Sequence, residues 1–342
     1  MENLYLASVI EEISPVVRER AISRVFIEGY DLFIDLGLSD ERLLKVSIDP
    51  ATPCLFLTTE AIARTGDYRS GSYFQSLLRK NLVGSRLIEV EKDRLDRKVR
   101  FALEGYDAAG DRRQHSIFIA LTGRSSNVYL TDEGGRIESM WLKRGEFETG
   151  DEIRLDNARL DPASLLHNLD ESFSKEDIIE RYFSSGSIFG PLIQREYLAR
   201  SAEGSAVAAL RSLVEDIFSK KPVPIIYSRI PVDEIGSRPL QIKEDLLLSH
   251  FEMRIGTGLT RYEYSSFSEA AQQFYDLKAR AAQFQRELTS LTHYLKSEIG
   301  KRETLLKAIA ADRARHGDPE RLKQMGDLLL ANLGTSSIND GR

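Results

Sequence analysis

Residues 266–342 leave the chain the least choice of structure. Apolar side chains recur at Phe274, Leu277, Ala281, Phe284, Leu288, Leu291 and Leu295, in alternating steps of three and four. This is a heptad seam over three repeats, and it commits the segment to one long helix. Charges occupy the same phase at Glu298 and Arg302, and Leu305 and Ile309 then resume it. Gly317-Asp318-Pro319 ends the helix, and Arg321–Leu333 begins a shorter one. No other stretch matches this seam in length and phase. Its partner is therefore a second copy of the chain or a returning arm beyond residue 342, which makes residues 266–342 a coiled-coil arm cut short.

The globular part is thus confined to residues 1–265. Leu4, Leu6, Val9, Ile10 and Ile13 predict an amphipathic helix within residues 1–21. Short runs rich in β-branched and aromatic residues follow at Arg24–Glu28, Tyr30–Leu36, Leu43–Ile48 and Cys54–Leu57, a meander of antiparallel strands. Tyr73–Leu82 predicts a helix, and Arg86–Glu91 and Lys98–Leu103 two strands. Leu87 and Val90 differ in parity, so the first of these strands needs a bulge. Strands are also expected at His115–Leu121, Asn127–Thr131 and Ile137–Leu142, the last two joined by Asp132-Glu133-Gly134-Gly135. The pattern then changes. Pro162–Asn168, Lys175–Phe183, Ile193–Ser201 and Ala206–Ser219 predict short helices broken by Gly186 and Gly190-Pro191, an arrangement like a helix-hairpin-helix unit. Val223–Tyr227 and Arg238–Ile242 return to β character. The fold class is α+β: a β-rich domain over 1–160, a helical insertion over 161–221, a return to the first domain over 222–265, and the arm.

Residues 77–101 hold eight Lys or Arg against four acids, a balance of +4 in a chain of net charge −6, so the remainder carries −10. A basic island in an acidic protein marks a local polyanion site, or else a solvated hairpin. Catalytic chemistry is not evident. The five histidines are scattered outside metal-ligand spacings, the glycine patterns lack a P-loop ending, and serine nucleophile elbows are missing. These observations exclude no binding role; they point away from an enzyme, a cofactor or a metal. Cys54, the single cysteine, sits in an apolar run as a small core side chain. No apolar run reaches membrane-spanning length, and Met-Glu-Asn-Leu-Tyr-Leu-Ala is not a secretory leader, which predicts a cytoplasmic protein without a membrane partner.

Five stretches carry a resemblance. Leu77-Leu78-Arg79-Lys80-Asn81-Leu82, then Leu95-Asp96-Arg97-Lys98-Val99-Arg100-Phe101, then Leu121-Thr122-Gly123-Arg124-Ser125-Ser126-Asn127-Val128-Tyr129-Leu130 occur in that order. Phe267–Lys278 and Gly326-Asp327-Leu328-Leu329-Leu330-Ala331-Asn332-Leu333 complete the series. Together they resemble the NFACT family, whose members include bacterial RqcH, also called fibronectin-binding protein A, and eukaryotic NEMF. The resemblance implies an N-terminal domain similar to that of the formamidopyrimidine-type DNA glycosylases, a helix-hairpin-helix domain and a coiled coil. It implies an RNA-binding factor of ribosome quality control, whose partners are the obstructed large ribosomal subunit and tRNA, and which supports template-free C-terminal tailing. Self-association through the coiled coil is a further expected contact. The family's tailing-linked Asp-Arg pair falls on Asp96 and Arg97. The family has an aspartate near its N-terminus where this chain reads Glu2-Asn3-Leu4, and the glycosylases' proline nucleophile has no counterpart. The alternative reading is a fibronectin- or protein-binding adhesin, or a coiled-coil scaffold.

Within the island, Arg97 and Arg94 are expected to meet phosphates as planar, permanently charged forks. Asp96 repels phosphate. Its expected work is to orient Arg97 or to accept from a base or ribose hydroxyl, against the alternative of a local Asp96–Arg97 salt bridge. Arg79, Lys80 and Arg124 are further RNA-binding candidates.

Overall fold

Leu6, Val9, Ile10, Ile13 and Val17 repeat at helical spacing, and all are buried on the inner face of α1 (Asn3–Val17). The computed structural model describes residues 1–59, 72–106, 109–156, 162–167, 169–184, 187–202 and 204–333. Three antiparallel sheets form among them. The first is the expected meander in chain order, β1 (Arg24–Glu28), β2 (Asp31–Asp35), β3 (Leu43–Ser47) and β4 (Cys54–Thr58). Gly29 turns the first hairpin at φ +59°, a backbone region that suits residues without a Cβ.

The second sheet is also in chain order: β5 (Arg86–Lys92), β6 (Lys98–Tyr106), β7 (Arg112–Ala120), β8 (Asn127–Asp132) and β9 (Ile137–Met140). The parity conflict in β5 is resolved as expected, by a register shift between Leu87 and Glu89. Helix α2 (Tyr73–Leu82), capped by the Ser72 hydroxyl accepting from Gln75 N at 3.2 Å, buries Phe74, Leu78 and Leu82. One continuous core joins α1, α2 and both sheets.

The helical section contains α3 (Pro162–Leu166), α4 (Lys175–Tyr182), α5 (Pro191–Arg200) and α6 (Ala206–Phe218), with α3, α4 and α5 all contacting α6. Gly190 and Pro191 do start α5; Gly186 and Asn168 lie outside the described residues. The third sheet, ordered β11-β10-β12, is built from β10 (Ile225–Ser228), β11 (Leu246–Ser249) and β12 (Thr260–Glu263). Here the sequence reading needs correction. Arg238–Ile242 is not a strand. Asp245 accepts from Gln241 N at 3.0 Å, closing a short helix, α7 (Ile242–Asp245), and the fully buried run after it takes the strand position. Strand alternation in this sheet serves two cores. Ile226, Leu246 and Leu248 join the core of the first two sheets, while Ile225, Tyr227 and Leu247 join the core of the helices.

Helix α8 (Phe267–His316) begins in this body. The Glu12 carboxylate accepts from Phe267 N at 2.5 Å and Ser268 N at 3.0 Å, placing a negative charge on the helix's positive end. The first seam residues find their partner here: Leu277 and Ala281 are buried in the main core, and Phe274 packs against it. The compact body extends to Ala281, past residue 266 where the arm is expected to start. The second unit, residues 282–342, carries the rest of α8 and α9 (Pro319–Ala331). It exposes Leu291, Leu295, Leu305 and Ile309 of the seam, together with Leu322, Met325 and Leu329. Among the described residues, no helix is long and apolar enough to cross a membrane.

His250, buried in the body beside the Phe251 ring, has its pKa lowered from 6.5 to about 4 by desolvation. Below pH 6.5 the unfolded chain takes up a proton that the folded chain refuses until about pH 4, so stability falls across that window as pH drops. The gap corresponds to about 3 kcal/mol. Urea unfolding at pH 7 and at pH 4 is expected to show this loss in the wild type and a correspondingly smaller one in His250→Leu.

Candidate nucleic-acid interface

Asp93 opens the connection between β5 and β6, and its carboxylate folds that connection around itself. Oδ1 accepts from Leu95 N and Asp96 N, each at 2.9 Å, and Oδ2 accepts from Asp156 N at 3.0 Å. An Asp at the first position of a turn binding the amides two and three residues on is a local preference of that side chain. The backbone is held further by Asp93 N donating to Lys98 O at 2.9 Å and Arg94 N donating to Asp156 O at 2.6 Å. Underneath lies Lys92. Its ammonium donates to Asn3 Oδ1, to Asp93 O at 2.7 Å and to Asp96 O at 3.2 Å. Burial lowers its pKa to about 8, and the nearby Asp93 and Asp96 charges oppose that shift. Asn3 Nδ2 also donates to Arg94 O at 3.3 Å, so α1 helps to hold the connection.

On this base four of the island's eight cations are seen in ion pairs, in part with acids from outside the island. Arg100 meets Glu91 across the strand pair, and Glu89 at 3.2 Å. Arg86 reaches Glu19 at 3.4 Å, Arg94 meets Asp156 at 2.7 Å, and Lys98 lies 3.3 Å from Asp96 and 2.8 Å from Glu146. The anticipated Asp96–Arg97 salt bridge is not among the ion pairs of the described residues. Asp96 Oδ1 accepts instead from the Arg97 backbone N at 2.7 Å. Arg97 O accepts from Leu121 N at 2.9 Å, and the half-buried guanidinium has no ion pair among the described residues. Its charge is felt by buried neighbours. Burial raises the Glu2 pKa, against the Met1 amine first, then the Leu192 N–H and Arg97; burial also lowers the Met1 amine to about 6, with Arg97 adding to the effect.

Arg124 stands at the same end of the sheet, exposed on a single 3-10 turn (Gly123–Ser125) whose Gly123 takes φ +73°. The asparagine of that motif is structural. Buried Asn127 donates to Leu142 O at 2.8 Å and Arg144 O at 2.6 Å, and accepts from Leu142 N at 3.1 Å. Arg144 donates to Ser126 O at 3.3 Å and Ile48 O at 2.9 Å, adding a third positive charge with no acid beside it among the described residues. Among the described residues Arg97, Arg124 and Arg144 therefore form no ion pair at this end, the Glu2 carboxylate acting on Arg97 only from a distance, while Arg94 and Asp96 are engaged within it.

Arg79 and Lys80 belong elsewhere. Arg79 Nε donates to Val25 O at 3.1 Å, tying α2 to β1, and Lys80 lines a pocket with Gly105 and Tyr106. Tyr106 is at the far end of β6 from Lys98, about 26 Å away at roughly 3.3 Å per residue. Four of the six candidates thus gather at one end of the second sheet, while Arg79 and Lys80 lie apart on α2. Lys92 and Asn3, which anchor the first end, carry no sequence signal of that role; the Asp93 turn pattern does.

Residues 2–146 match the family described as NFACT N-terminal and middle domains. The chain is 22% identical over 303 residues to the Rqc2 homolog RqcH of Bacillus subtilis (strain 168), a match covering 85% of this chain and 51% of that protein. It therefore spans about half the length of this curated relative. Among solved structures it is similar to the fibrinogen binding protein from Staphylococcus aureus, with TM-score 0.58 and 16% identity over 80% of this chain and 98% of that one. It is likewise similar to the N-terminal part of the fibronectin/fibrinogen-binding protein from Streptococcus suis, with TM-score 0.59 and 14% identity over 81% and 99%. These two share its fold: mixed α+β with β-rich antiparallel sheets. The three motifs that surround the β5–β6 connection all fall within the segment, residues 2–146, that matches the NFACT N-terminal and middle domains.

Proposed function

We propose that the protein is an RNA-binding factor of ribosome quality control, acting in the cytoplasm on obstructed large ribosomal subunits and tRNA and supporting template-free C-terminal tailing. The observation that carries this reading is Arg97. It is a guanidinium with no ion pair among the described residues, on a connection whose backbone is fixed by Asp93, Asp96 and Lys92. A positioned cation free of internal pairing is what phosphate recognition requires, because the binding free energy then comes from counterion release rather than from breaking a salt bridge. The family and the similarity to RqcH support the same reading. The glycosylase-like N-terminal domain and the helix-hairpin-helix domain over 161–221 that the family resemblance implies would fit it, as both are nucleic-acid scaffolds.

The test is tRNA binding measured across a salt series. Arg97→Ala is expected to weaken binding about tenfold and to reduce the salt slope by about one. Unchanged affinity together with a flat salt dependence would sink the proposal. A second reading takes its support from the exposed apolar rows of α8 and α9 and from the names of the solved neighbours: a protein-binding adhesin or scaffold. Saturable binding to immobilised fibronectin or fibrinogen, with none to tRNA, would favour it.

A further inference from the structure

Glu2, Asn3 and Leu4 lead into α1, and they touch both the helical section and the Arg97 connection. Asn3 accepts from Lys92 Nζ and donates to Arg94 O at 3.3 Å. Leu4 packs against the core of the helices. Glu2 lies on the N-terminus of α5, whose own N-cap residue, Gly190, supplies no side-chain capping bond. The Glu2 carboxylate takes that place. It accepts from the Leu192 N–H, and a Cβ on Gly190 would overlap Glu2 Oε2. A carboxylate there also meets the positive end of the helix dipole. Gly190 is at φ −80°, which any residue adopts, so the carboxylate and not the backbone demands glycine.

The same carboxylate feels Arg97. Burial raises the Glu2 pKa, and the Met1 amine, the Leu192 N–H and Arg97 oppose the rise in that order. Arg97 and Glu2 form no ion pair among the described residues, so the attraction acts through space and leaves the guanidinium's donors for a ligand. We propose that Glu2 is a positioning residue for Arg97, one that ties the connection to α5 and whose charge holds back phosphate binding at that guanidinium. The proposal rests on Arg97 being an RNA contact. Because α5 pins the carboxylate, it cannot swing away when a phosphate arrives, and its repulsion is part of every binding event at Arg97.

The test is tRNA binding by the full chain, for the wild type, Glu2→Gln, Arg97→Ala and the double variant. Glu2→Gln keeps an oxygen for the Leu192 N–H but removes the charge, and is expected to tighten binding about threefold. In the Arg97→Ala background the same change is expected to give no gain. A role in folding alone can weaken binding but does not tighten it. The place of the carboxylate is read separately, by thermal unfolding. Gly190→Ala is expected to lower the melting temperature by about 3 °C, the effect of one displaced cap. In Glu2→Ala, where that space is empty, it is expected to lower it by less than about 1 °C. The inference is overturned if Glu2→Gln fails to bind more tightly than the wild type, or if its gain survives Arg97→Ala. It is also overturned if Gly190→Ala costs as much in Glu2→Ala as in the wild type. Unchanged tRNA binding by Arg97→Ala would overturn the RNA reading and this inference together, whereas a weakened Arg97→Ala with no gain in Glu2→Gln overturns this inference alone.

Discussion

Glu196→Ala is expected to destabilise the protein by about 3–5 kcal/mol, the largest loss among the single substitutions considered. Glu196 is fully buried on α5. Its Oε1 accepts from Arg200 Nε at 2.7 Å and Arg254 N at 2.9 Å, and its Oε2 from Ile255 N at 2.9 Å. Arg200, also buried, donates onward to Asp216 at 2.6 Å and Ser212 at 3.2 Å. Removing the carboxylate leaves two backbone N–H groups without acceptors and a guanidinium with half its compensation. Glu196→Gln should fall between, because its amide presents donors where donors already point. The double variant Glu196→Leu/Arg200→Met should cost less than Glu196→Ala alone, since no uncompensated charge is then buried. Urea unfolding of the set gives the coupling energy. A cost below about 1 kcal/mol for Glu196→Ala would show that the buried pair does not hold this region together.

Asp93→Ala is expected to cost about 3–4 kcal/mol by the same logic at the candidate interface, with three backbone amides losing a charged acceptor together. Asp93→Asn keeps Oδ1 for Leu95 and Asp96 but turns a donor toward Asp156 N, so roughly half the loss is expected. The local readout is hydrogen exchange. The amides of Leu95, Asp96 and Asp156 should exchange faster in Asp93→Ala, while those of β7 and β8 change only as far as global stability does. In tRNA binding Asp93→Ala should approach the loss seen with Arg97→Ala, although Asp93 itself touches no phosphate, because the Arg97 backbone loses its support. If the three amides exchange at wild-type rates, Asp93 is not what shapes the connection.

Comparing sequence with structure locates where each kind of information resides. Elements whose cause is local were legible: the helix Tyr73–Leu82 coincides with α2, and the parity break between Leu87 and Val90 gave the β5 bulge. The strand at Arg238–Ile242 failed for a non-local reason. Its place beside β10 is taken by Leu246–Ser249, which satisfies both cores, and the sequence shows apolarity but not which core demands it. The charge island was visible as a count. Its meaning depended on which acids lie opposite, and Glu19, Glu146 and Asp156 are distant in sequence from the cations they neutralise. A count of +4 is therefore compatible with very different surfaces. Only the pairing distinguishes Arg97 from its ion-paired neighbours Arg94, Lys98 and Arg100, and only the fold sets it apart from Lys80 on α2.

The sheet of β10 and β11 has one row of side chains in each of two cores. It serves as a party wall, and a wall shared by two rooms cannot be removed from one of them alone. Melting the helical section would strip one face of β10 and β11 and withdraw support from the other, so the body up to Ala281 should lose structure in a single step even though its interior comprises separate apolar clusters. Weakness introduced on the helical side, at Glu196 for example, would then be felt as far away as the Arg97 connection. A fault there could reduce RNA binding without touching a single residue that contacts RNA.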